Sequence, residues 1–446
     1  MENSIQVTLP LDIYTFPHIP LPEVWTVEQK VTKPALSHEE ITTLARGAVA
    51  NLTQDPRLKP GATVAVGVGS RGLDNLVFVV KTVVAELKAQ GLKPFIVPAM
   101  GSHGGATAEG QRQVLADYGV TEASSGTEIR ATMEVTLVGV LNAEEGGDYE
   151  GQKVYCDNNA LSADAILLIN RIKPHTDFQG EVESGIAKMC VIGLGKRFGA
   201  ECVHQYGVNG LRDLVPRIAR FLVSKLPIVG GVALIENDFG RTCEIHAVPA
   251  EDVAGNGEKR LLAHSRTLAP HLPFQEIDVL IVDQMGKNIS GAGMDTHVIG
   301  RGYLPSLKEQ EWGGPNVRLV AVLDLTKETH GNATALGLAD LTTRHLVEQA
   351  DFETTFINIR TSGEGGVLRG RLPLIMPTSN DCVKTAIATC GRKTAEEVRF
   401  VRIRNTADVQ FLEISRALLD EARQSSQLIV SEESHPLDLC APVRPE

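Results

Sequence analysis

Apolar and polar residues are grouped along the chain in an order that predicts alternating strands and helices. Short apolar runs typical of buried strands are followed by segments in which apolar residues recur every three or four positions. Ser37 and Glu40 have the spacing of a capping box at the first helix. Such alternation is typical of an α/β fold with a largely parallel sheet. The predicted strands are Ala62–Val66, Phe95–Ala99, Ala165–Asn170 and Ile228–Ile235, and the predicted helices are Ser37–Asn51, Leu76–Ala89 and Thr107–Tyr118.

A polar stretch between Asp252 and Phe274 separates this series from a second one. Because 446 residues exceed the size at which a single core keeps growing, two domains are expected. We predict a larger, mostly parallel N-terminal α/β domain (residues 1–265), a smaller C-terminal α/β domain (275–425) and a loose tail (426–446). The second series comprises predicted strands at Ile277–Asp283, Arg318–Leu325, Thr354–Arg360, Leu372–Met376 and Val398–Arg404, with helices near Leu338–Glu348 and Asn380–Thr389.

Composition excludes several functional classes. The chain is 43% apolar and 22% charged, as in ordinary globular proteins, and its net charge of −12 disfavours binding to nucleic-acid phosphates. No apolar run approaches the roughly twenty residues that span a bilayer, and the first residues lack the pattern of a signal peptide. Seven cysteines without a CxxC pair are typical of a reducing compartment. We therefore expect a soluble cytoplasmic protein that binds a small molecule, and the sequence leaves open whether it forms a homo-oligomer.

Three histidines and one lysine are the candidate chemical groups. His103 lies in a glycine-rich segment after one predicted strand, and His175 follows another strand and a proline. Imidazoles at such positions can approach a ligand and titrate near neutral pH. Lys188 and His204 follow sixteen residues apart. Lys188 is either a buried amine able to attack an electrophile or an ordinary helix lysine that extends to solvent, and His204 alone is equally compatible with a packed core histidine.

The segment Gly67-Val-Gly-Ser-Arg-Gly72 matches G-x-G-x-x-G after a strand, which raises the question of a dinucleotide site. The next strand ends without the carboxylate that would hold the ribose, and Glu86 lies within a predicted helix. Arg71 is more typical of a phosphate clamp, so we favour a phosphate-binding loop. Residues 190–197 lack the glycine spacing and the Ser/Thr of a P-loop. Dense metal-ligand spacings are absent, so any metal is expected on an organic cofactor with one added histidine.

At these positions the sequence resembles the lactate racemase family, whose members use a nickel-pincer nucleotide. The family pattern has a Gly-x-His loop, a Pro/Ser-His pair after a strand, then a lysine, with a second histidine sixteen residues beyond it. It also has an arginine loop that grips the cofactor phosphate and a Gln-x-x-Lys motif at the start of the second domain. The resemblance extends from about residue 60 to about residue 290. The matching residues are Ser70, Arg71, Gly72, His103, His175, Lys188, His204, Gln284 and Lys287.

The sequence departs from the family pattern at several points. The acidic residue before the arginine and the proline after it are replaced, and an aromatic residue of the family's C-terminal pocket wall has no clear match. The segment from His175 to Lys188 is longer than in lactate racemase itself and contains Glu181 and Glu183. These departures leave the cofactor assignment in place and count against lactate as the substrate.

The resemblance implies a racemase or epimerase that inverts C2 of a 2-hydroxy acid by hydride transfer, with its active site in the cleft between the two domains. It implies that Lys188 forms the covalent link to the cofactor, and that His204 is a nickel ligand. His103 and His175 would act as the acid/base pair. Residues 70–72 would hold the cofactor phosphate, and Gln284 and Lys287 the substrate carboxylate. Two alternatives stay open: an NAD-dependent 2-hydroxy acid dehydrogenase, and a protein that binds the nucleotide cofactor without turnover. The sequence does not select among lactate, malate, longer aliphatic acids and sugar acids.

Overall fold

The computed structural model describes residues 5–8, 16–70, 72–302, 313–361 and 363–443, without the side chains of 361–365. Among these residues, no helix is both long enough and apolar enough to cross a membrane. The strands, in chain order, are β1 (Glu23–Gln29), β2 (Thr63–Val68), β3 (Lys93–Pro98), β4 (Val135–Val140), β5 (Lys153–Asp157), β6 (Ala165–Arg171), β7 (Ile228–Glu236), β8 (Thr242–Pro249), β9 (Glu276–Met285), β10 (Asn316–Leu325), β11 (Leu341–Thr343), β12 (Leu374–Met376), β13 (Phe400–Asn405), β14 (Asp408–Ser415), β15 (Leu428–Val430) and β16 (His435–Pro436).

Helices separate most of these strands, and the first of them starts as predicted, since Ser37 and Glu40 form a capping box. Two helical segments, Met189–Gly193 and Gly210–Leu214, have π geometry. The longer α-helices are His38–Leu52, Leu76–Ala89, Ala108–Asp117, Lys196–His204, Val215–Lys225, Asn256–Leu268, Phe352–Thr361, Ser379–Thr389 and Arg416–Gln424, and the shorter ones are Glu122–Ser125, Ala143–Gly146, Asn158–Leu161, Ile186–Lys188, Gly207–Asn209, Arg344–Gln349 and Gly363–Arg369.

The chain divides into two compact units. One comprises residues 33–269, and the other combines the described residues of 1–32 with those of 270–446. The break after residue 269 falls inside the polar stretch predicted as a boundary. The predicted N-terminal domain was wrong in starting at residue 1, because β1 pairs with β14 in the second unit. Long-range strand pairing of this kind leaves no local signal in the sequence.

The prediction of a loose tail at residues 426–446 was also wrong. β15 and β16 both pair antiparallel with β1, and Leu437 is buried in the core of this unit. The Arg402 guanidinium donates hydrogen bonds to the carbonyl oxygens of Asp438, at 2.8 Å, and Ala441, at 2.9 Å. The described part of the tail is ordered because it satisfies backbone groups of β1 that would otherwise form an unpaired sheet edge.

The described strands of the 33–269 unit form a five-stranded sheet in the order β3-β2-β6-β7-β8, with a separate β4-β5 hairpin. The first four strands are parallel and β8 is antiparallel. Val68 pairs with both Pro98 and Ile169, so β2, β3 and β6 end at the same sheet edge. The chain goes from β2 to β3 on one side and later enters β6 on the other. In open α/β sheets, ligands bind beyond the strand ends at such a reversal.

Both faces of this sheet are covered, as expected for parallel strands. Alternate residues of β2 belong to different apolar clusters, with Ala65 in one and Val66 in the other. The helices His38–Leu52 and Leu76–Ala89 contribute to the second cluster, and Val215–Lys225 to the first. The α/β class predicted from the alternation of strands and helices is therefore confirmed.

The other unit is also α/β. Its described strands form a nine-stranded mixed sheet in the order β12-β11-β10-β9-β13-β14-β1-β15, with β16 on β1. The predicted strand at Thr354–Arg360 is wrong, because these residues lie in the helix Phe352–Thr361. The Asp351 carboxylate accepts the Thr354 N–H at 3.0 Å and caps this helix, which overrides the β propensity of its Thr and Ile residues. The predicted helix near Leu338–Glu348 is divided between β11 and the helix Arg344–Gln349.

Candidate functional site

The loops after β2 and β3 bring Ser70 and His103 together at the carboxyl edge of the five-stranded sheet. Ser70 follows the end of β2 and is partly exposed, and His103 follows β3 and is exposed. The Ser70 hydroxyl forms a hydrogen bond with Nδ1 of His103. Predicted Arg71 lies outside the described residues, and Gly72 is exposed beside the Tyr118 ring. The sequence predicted Ser70 and His103 as separate contributors, and the structure makes them hydrogen-bonded neighbours.

Glycine is required in the His103 loop for a steric reason. Gly104 has φ of +65°, and a Cβ atom added there would lie 2.5 Å from the backbone carbon of Gly110. Only glycine tolerates this combination of a left-handed backbone and a close backbone contact. The close contact packs the loop onto the start of the helix Ala108–Asp117.

The loop after β6 holds His175 through a buried carboxylate. Glu183 accepts hydrogen bonds from the backbone N–H groups of His175, at 2.6 Å, and of Gly180, at 3.0 Å. Its side chain is fully buried and forms an ion pair with Arg266. The Phe178 ring packs against the imidazole, with 4.6 Å between the ring centroids. The loop after β6 thus supplies the carboxylate that fixes the backbone of His175.

Lys188 lies where the short helix Ile186–Lys188 continues into the π-helix Met189–Gly193. The buried carboxylate of Glu258 accepts the backbone N–H of Ala187 in this helix at 3.0 Å, and that of Ala254, before the helix Asn256–Leu268, at 2.8 Å. Burial raises the pKa of Glu258, while these hydrogen bonds oppose the shift. Helical segments with π geometry often occur at functional positions.

The amine of Lys188 lies against the imidazole of His175, with 2.5 Å between Nζ and Nε2. The backbone N–H of Asp177 donates to Nδ1 of the same ring at 3.0 Å. A neutral imidazole has one N–H, so an accepting Nδ1 places the proton on Nε2. In this tautomer Nε2 donates and the Lys188 nitrogen accepts as a neutral amine, which is the nucleophilic form. In the other tautomer Lys188 donates to Nε2 as an ammonium group.

His204 ends the helix Lys196–His204 and lies within electrostatic range of Lys188. Although the residue is exposed at the surface, surrounding protein atoms desolvate its ring. Desolvation is the main cause that lowers the pKa of His204; a proton on Lys188 also lowers it, and Asp177 raises it. The neutral imidazole favoured by these effects is the form that binds metal ions.

The segments that carry Ser70 and His103 contact the segment that carries Lys188. A Cβ atom added to Gly69, next to Ser70, would lie 3.0 Å from Cε of Met189, next to Lys188. The N–H of Gly101 donates to the carbonyl oxygen of Gly193 at 3.2 Å. Ser70, His103, His175, Lys188 and His204 thus lie along one edge of the 33–269 unit, on loops and a helix end that interlock.

Gln284 and Lys287 lie in the other unit, at the carboxyl end of β9. Gln284 is the penultimate residue of this strand and pairs in register with Asp324. Lys287 is partly exposed, and its Nζ donates to the carbonyl oxygen of Gly291 at 2.9 Å. Asp283, the residue before Gln284, accepts two hydrogen bonds from one edge of the Arg402 guanidinium, from Nε and Nη2. Burial raises the pKa of Asp283 to about 6.

The glycine-rich motif that suggested a dinucleotide has a packing role. Gly67 lies inside β2 rather than in the following turn, and an added Cβ atom would lie 2.4 Å from Cδ2 of Leu168 on the neighbouring strand. Glu86, at the sequence distance of a ribose-binding acid, lies within a helix and pairs with Arg46 at 3.5 Å. Both observations count against the dinucleotide interpretation.

Several residues around the site were missed by sequence reasoning. Asp177 and Glu258 contact the His175 and Lys188 segments, and Gln111 and Lys196 support the His103 loop. Within the described part of the chain, no group of three or more His, Cys, Asp or Glu side chains is arranged to hold a metal ion.

Comparisons with known proteins give one structural match. No family model matches the chain. No curated protein matches it either. The chain is similar to a crystal structure of a protein from Thermotoga maritima, with 13% sequence identity and a TM-score of 0.49, over 84% of this chain and 98% of the other.

Proposed function

We propose that this protein is a racemase or epimerase that inverts C2 of a 2-hydroxy acid, using a nickel-pincer nucleotide attached to Lys188. The observation that carries the proposal is the 2.5 Å contact between Lys188 Nζ and His175 Nε2, with His204 in electrostatic range. The proposed tether Lys188, the acid/base group His175 and the metal ligand His204 are therefore near one another. They come from three separate segments, which their spacing in the sequence did not guarantee.

The residues present fit the cofactor. In its neutral form Lys188 could bond to an electrophilic carbon, and the neutral imidazole of His204, which its lowered pKa favours, could donate its lone pair to nickel. Since the cofactor supplies the other donors to nickel, this arrangement needs one protein ligand rather than a protein cage. Ser70 and the backbone of Gly72 follow β2 at the sheet edge, where loops of α/β proteins bind phosphates. When bound, the cofactor supplies an acceptor for the hydride from C2.

The histidines then handle the hydroxyl proton. The imidazole on one face takes the proton from the substrate hydroxyl as C2 becomes planar, and it returns that proton when the same enantiomer re-forms. In the opposite enantiomer, the hydroxyl group points to the other face, so a second imidazole is needed. We assign these roles to His103 and His175. The Ser70 hydroxyl orients His103, and Glu183 fixes the backbone of His175. Lys287 and Gln284 would bind the carboxylate.

A chiral assay tests this function. Protein produced with nickel and the cofactor pathway is incubated with a panel of 2-hydroxy acids, each deuterated at C2, and both enantiomers are measured. The proposal predicts conversion of at least one acid to a racemate or epimer that keeps deuterium at C2, because the same hydrogen leaves and returns. Loss of the label to water would indicate proton abstraction from C2 and contradict the proposal. Reduction of NAD with formation of a keto acid would establish the dehydrogenase alternative instead.

A further inference from the structure

A buried lysine that the proposed chemistry does not use lies beneath the His103 loop. The side chains of Lys196 and Asp157 are both 0% exposed, and 2.9 Å separates Nζ from Oδ2. Lys196 Nζ also donates to the carbonyl oxygen of Pro98, the last residue of β3, and at 2.9 Å to Oε1 of Gln111. Lys196 has φ of +53°, a conformation uncommon for residues other than glycine. Burial of a charge and an unfavourable backbone are both costly, so this arrangement needs a compensating role.

Gln111 connects this lysine to the loop. Because the ammonium group of Lys196, paired with Asp157, can only donate, the Gln111 atom that faces it must be the amide oxygen. The amide nitrogen therefore faces the other way, and it donates to the carbonyl oxygens of Gly101, at 2.8 Å, and of His103 itself, at 3.3 Å. Gln111 is fully buried. Both ends of its amide are thus used, one on Lys196 and the other on the backbone that carries His103.

Lys196 is also the first residue of the helix that ends at His204. The same side chain therefore joins three parts of the site: the end of β3, the His103 loop through Gln111, and the helix of His204. An apolar residue at position 196 could fill the volume, but it could not orient the Gln111 amide.

We propose that Gln111, held by the buried Lys196–Asp157 pair, is a positioning residue that fixes His103 for proton transfer. The positioning itself is a property of this fold, and its consequence for turnover rests on the proposed function. A displaced imidazole would reduce the rate of proton transfer and leave the cofactor attachment at Lys188 intact.

The test compares Gln111→Met with Gln113→Met, which alters an exposed glutamine on the same helix that bonds only to Asp117 among the contacts described. The first readout is the imidazole NMR signal of His103 in cofactor-free protein, with Ser70→Ala as the reference for loss of the Ser70 contact. We expect Gln111→Met to move the His103 signal toward that of Ser70→Ala, and Gln113→Met to leave it unchanged. In loaded enzyme we expect kcat to fall roughly 10-fold to 100-fold, with KM within about 2-fold and full nickel content.

A second variant covers the case in which Gln111→Met fails to fold. Gln111→Glu keeps the size of the side chain and the contact with Lys196, but a carboxylate cannot donate to the two loop carbonyls. It should therefore move the His103 signal in the same way. A folded Gln111 variant with the His103 signal of the parent protein would overturn the proposal. A shifted signal in a protein that racemises no 2-hydroxy acid would uphold the positioning role and refute the proposed function.

Discussion

The Nζ atom of Lys188 lies 2.5 Å from Nε2 of His175, while the N–H of Asp177 occupies Nδ1 of the same ring. In the tautomer that carries its proton on Nε2, the imidazole donates to Lys188, which accepts as a neutral amine. A neutral lysine in this position is suited to covalent attachment.

Lys188 should react with amine-selective reagents at neutral pH faster than ordinary lysines do, because only the neutral amine is nucleophilic. Brief acetylation of cofactor-free protein at pH 7, followed by peptide mass spectrometry, measures the modified fraction at each lysine. Lys81, an exposed lysine on the helix Leu76–Ala89, is the internal control. Modification of Lys188 more slowly than of Lys81 would show that its amine is protonated or shielded, contrary to the hydrogen-bond assignment.

The pKa of His204 should fall further when Asp177 becomes Asn, because the Asp177 carboxylate is the one group described as raising it. The folded-state pKa already lies below the ordinary value of 6.5. Stability is therefore lost as pH falls from about 6.5 through the folded-state pKa, and Asp177→Asn should extend that loss to lower pH. An NMR titration of His204 and unfolding curves across this pH range provide the measurements. Asp117→Asn, at an exposed carboxylate, should change neither.

Glu183 should contribute strongly to stability, because its removal leaves the N–H groups of His175 and Gly180 without their acceptor and Arg266 without its counter-ion. We expect Glu183→Ala to lower the free energy of unfolding by about 2–4 kcal/mol. Glu181→Ala is the matched control, since Glu181 is exposed and pairs with Lys259 at 2.9 Å at the surface. Its effect should be below about 1 kcal/mol. Equal losses for both variants, measured by denaturant unfolding, would contradict the role given to Glu183.

Lys287 should bind the substrate carboxylate. A charge-assisted hydrogen bond contributes about 1.5–3 kcal/mol, so Lys287→Ala should reduce kcat/KM about 10-fold to 150-fold without loss of cofactor. Lys327→Ala, at an exposed lysine after β10, is the control. An uncharged 2-hydroxy amide should be a poor substrate for the parent and little worse for the variant. Unchanged kcat/KM for the acid would show that Lys287 does not bind the carboxylate.

Local patterns in the sequence predicted much of the fold and part of the site. The capping box at Ser37, the helix Leu76–Ala89 and the glycine-rich His103 loop each depend on residues within one turn or loop, where steric and hydrogen-bonding rules act directly. The order of strands and helices was sufficient to predict the α/β class.

The contacts missed from the sequence join distant segments. Lys196 and Gln111 are 85 residues apart, and β1 pairs with β14 almost four hundred residues later. Their partners depend on how the strands assemble, which no local period encodes. The strand predicted at Thr354–Arg360 failed for a related reason, since capping by Asp351 and packing of Phe352 favour a helix there.

The most direct test of the central claim is the intact mass of denatured protein produced with nickel and the cofactor pathway. The proposal predicts a mass increment that survives denaturation, maps to Lys188 by peptide sequencing and is absent in Lys188→Ala. Lys225→Ala, at an exposed lysine, should retain it. His204→Ala should keep the organic part of the increment but lose nickel. An unmodified mass for the parent protein under these conditions, or an increment that maps to another residue, would contradict the assignment of Lys188 as the site of covalent attachment.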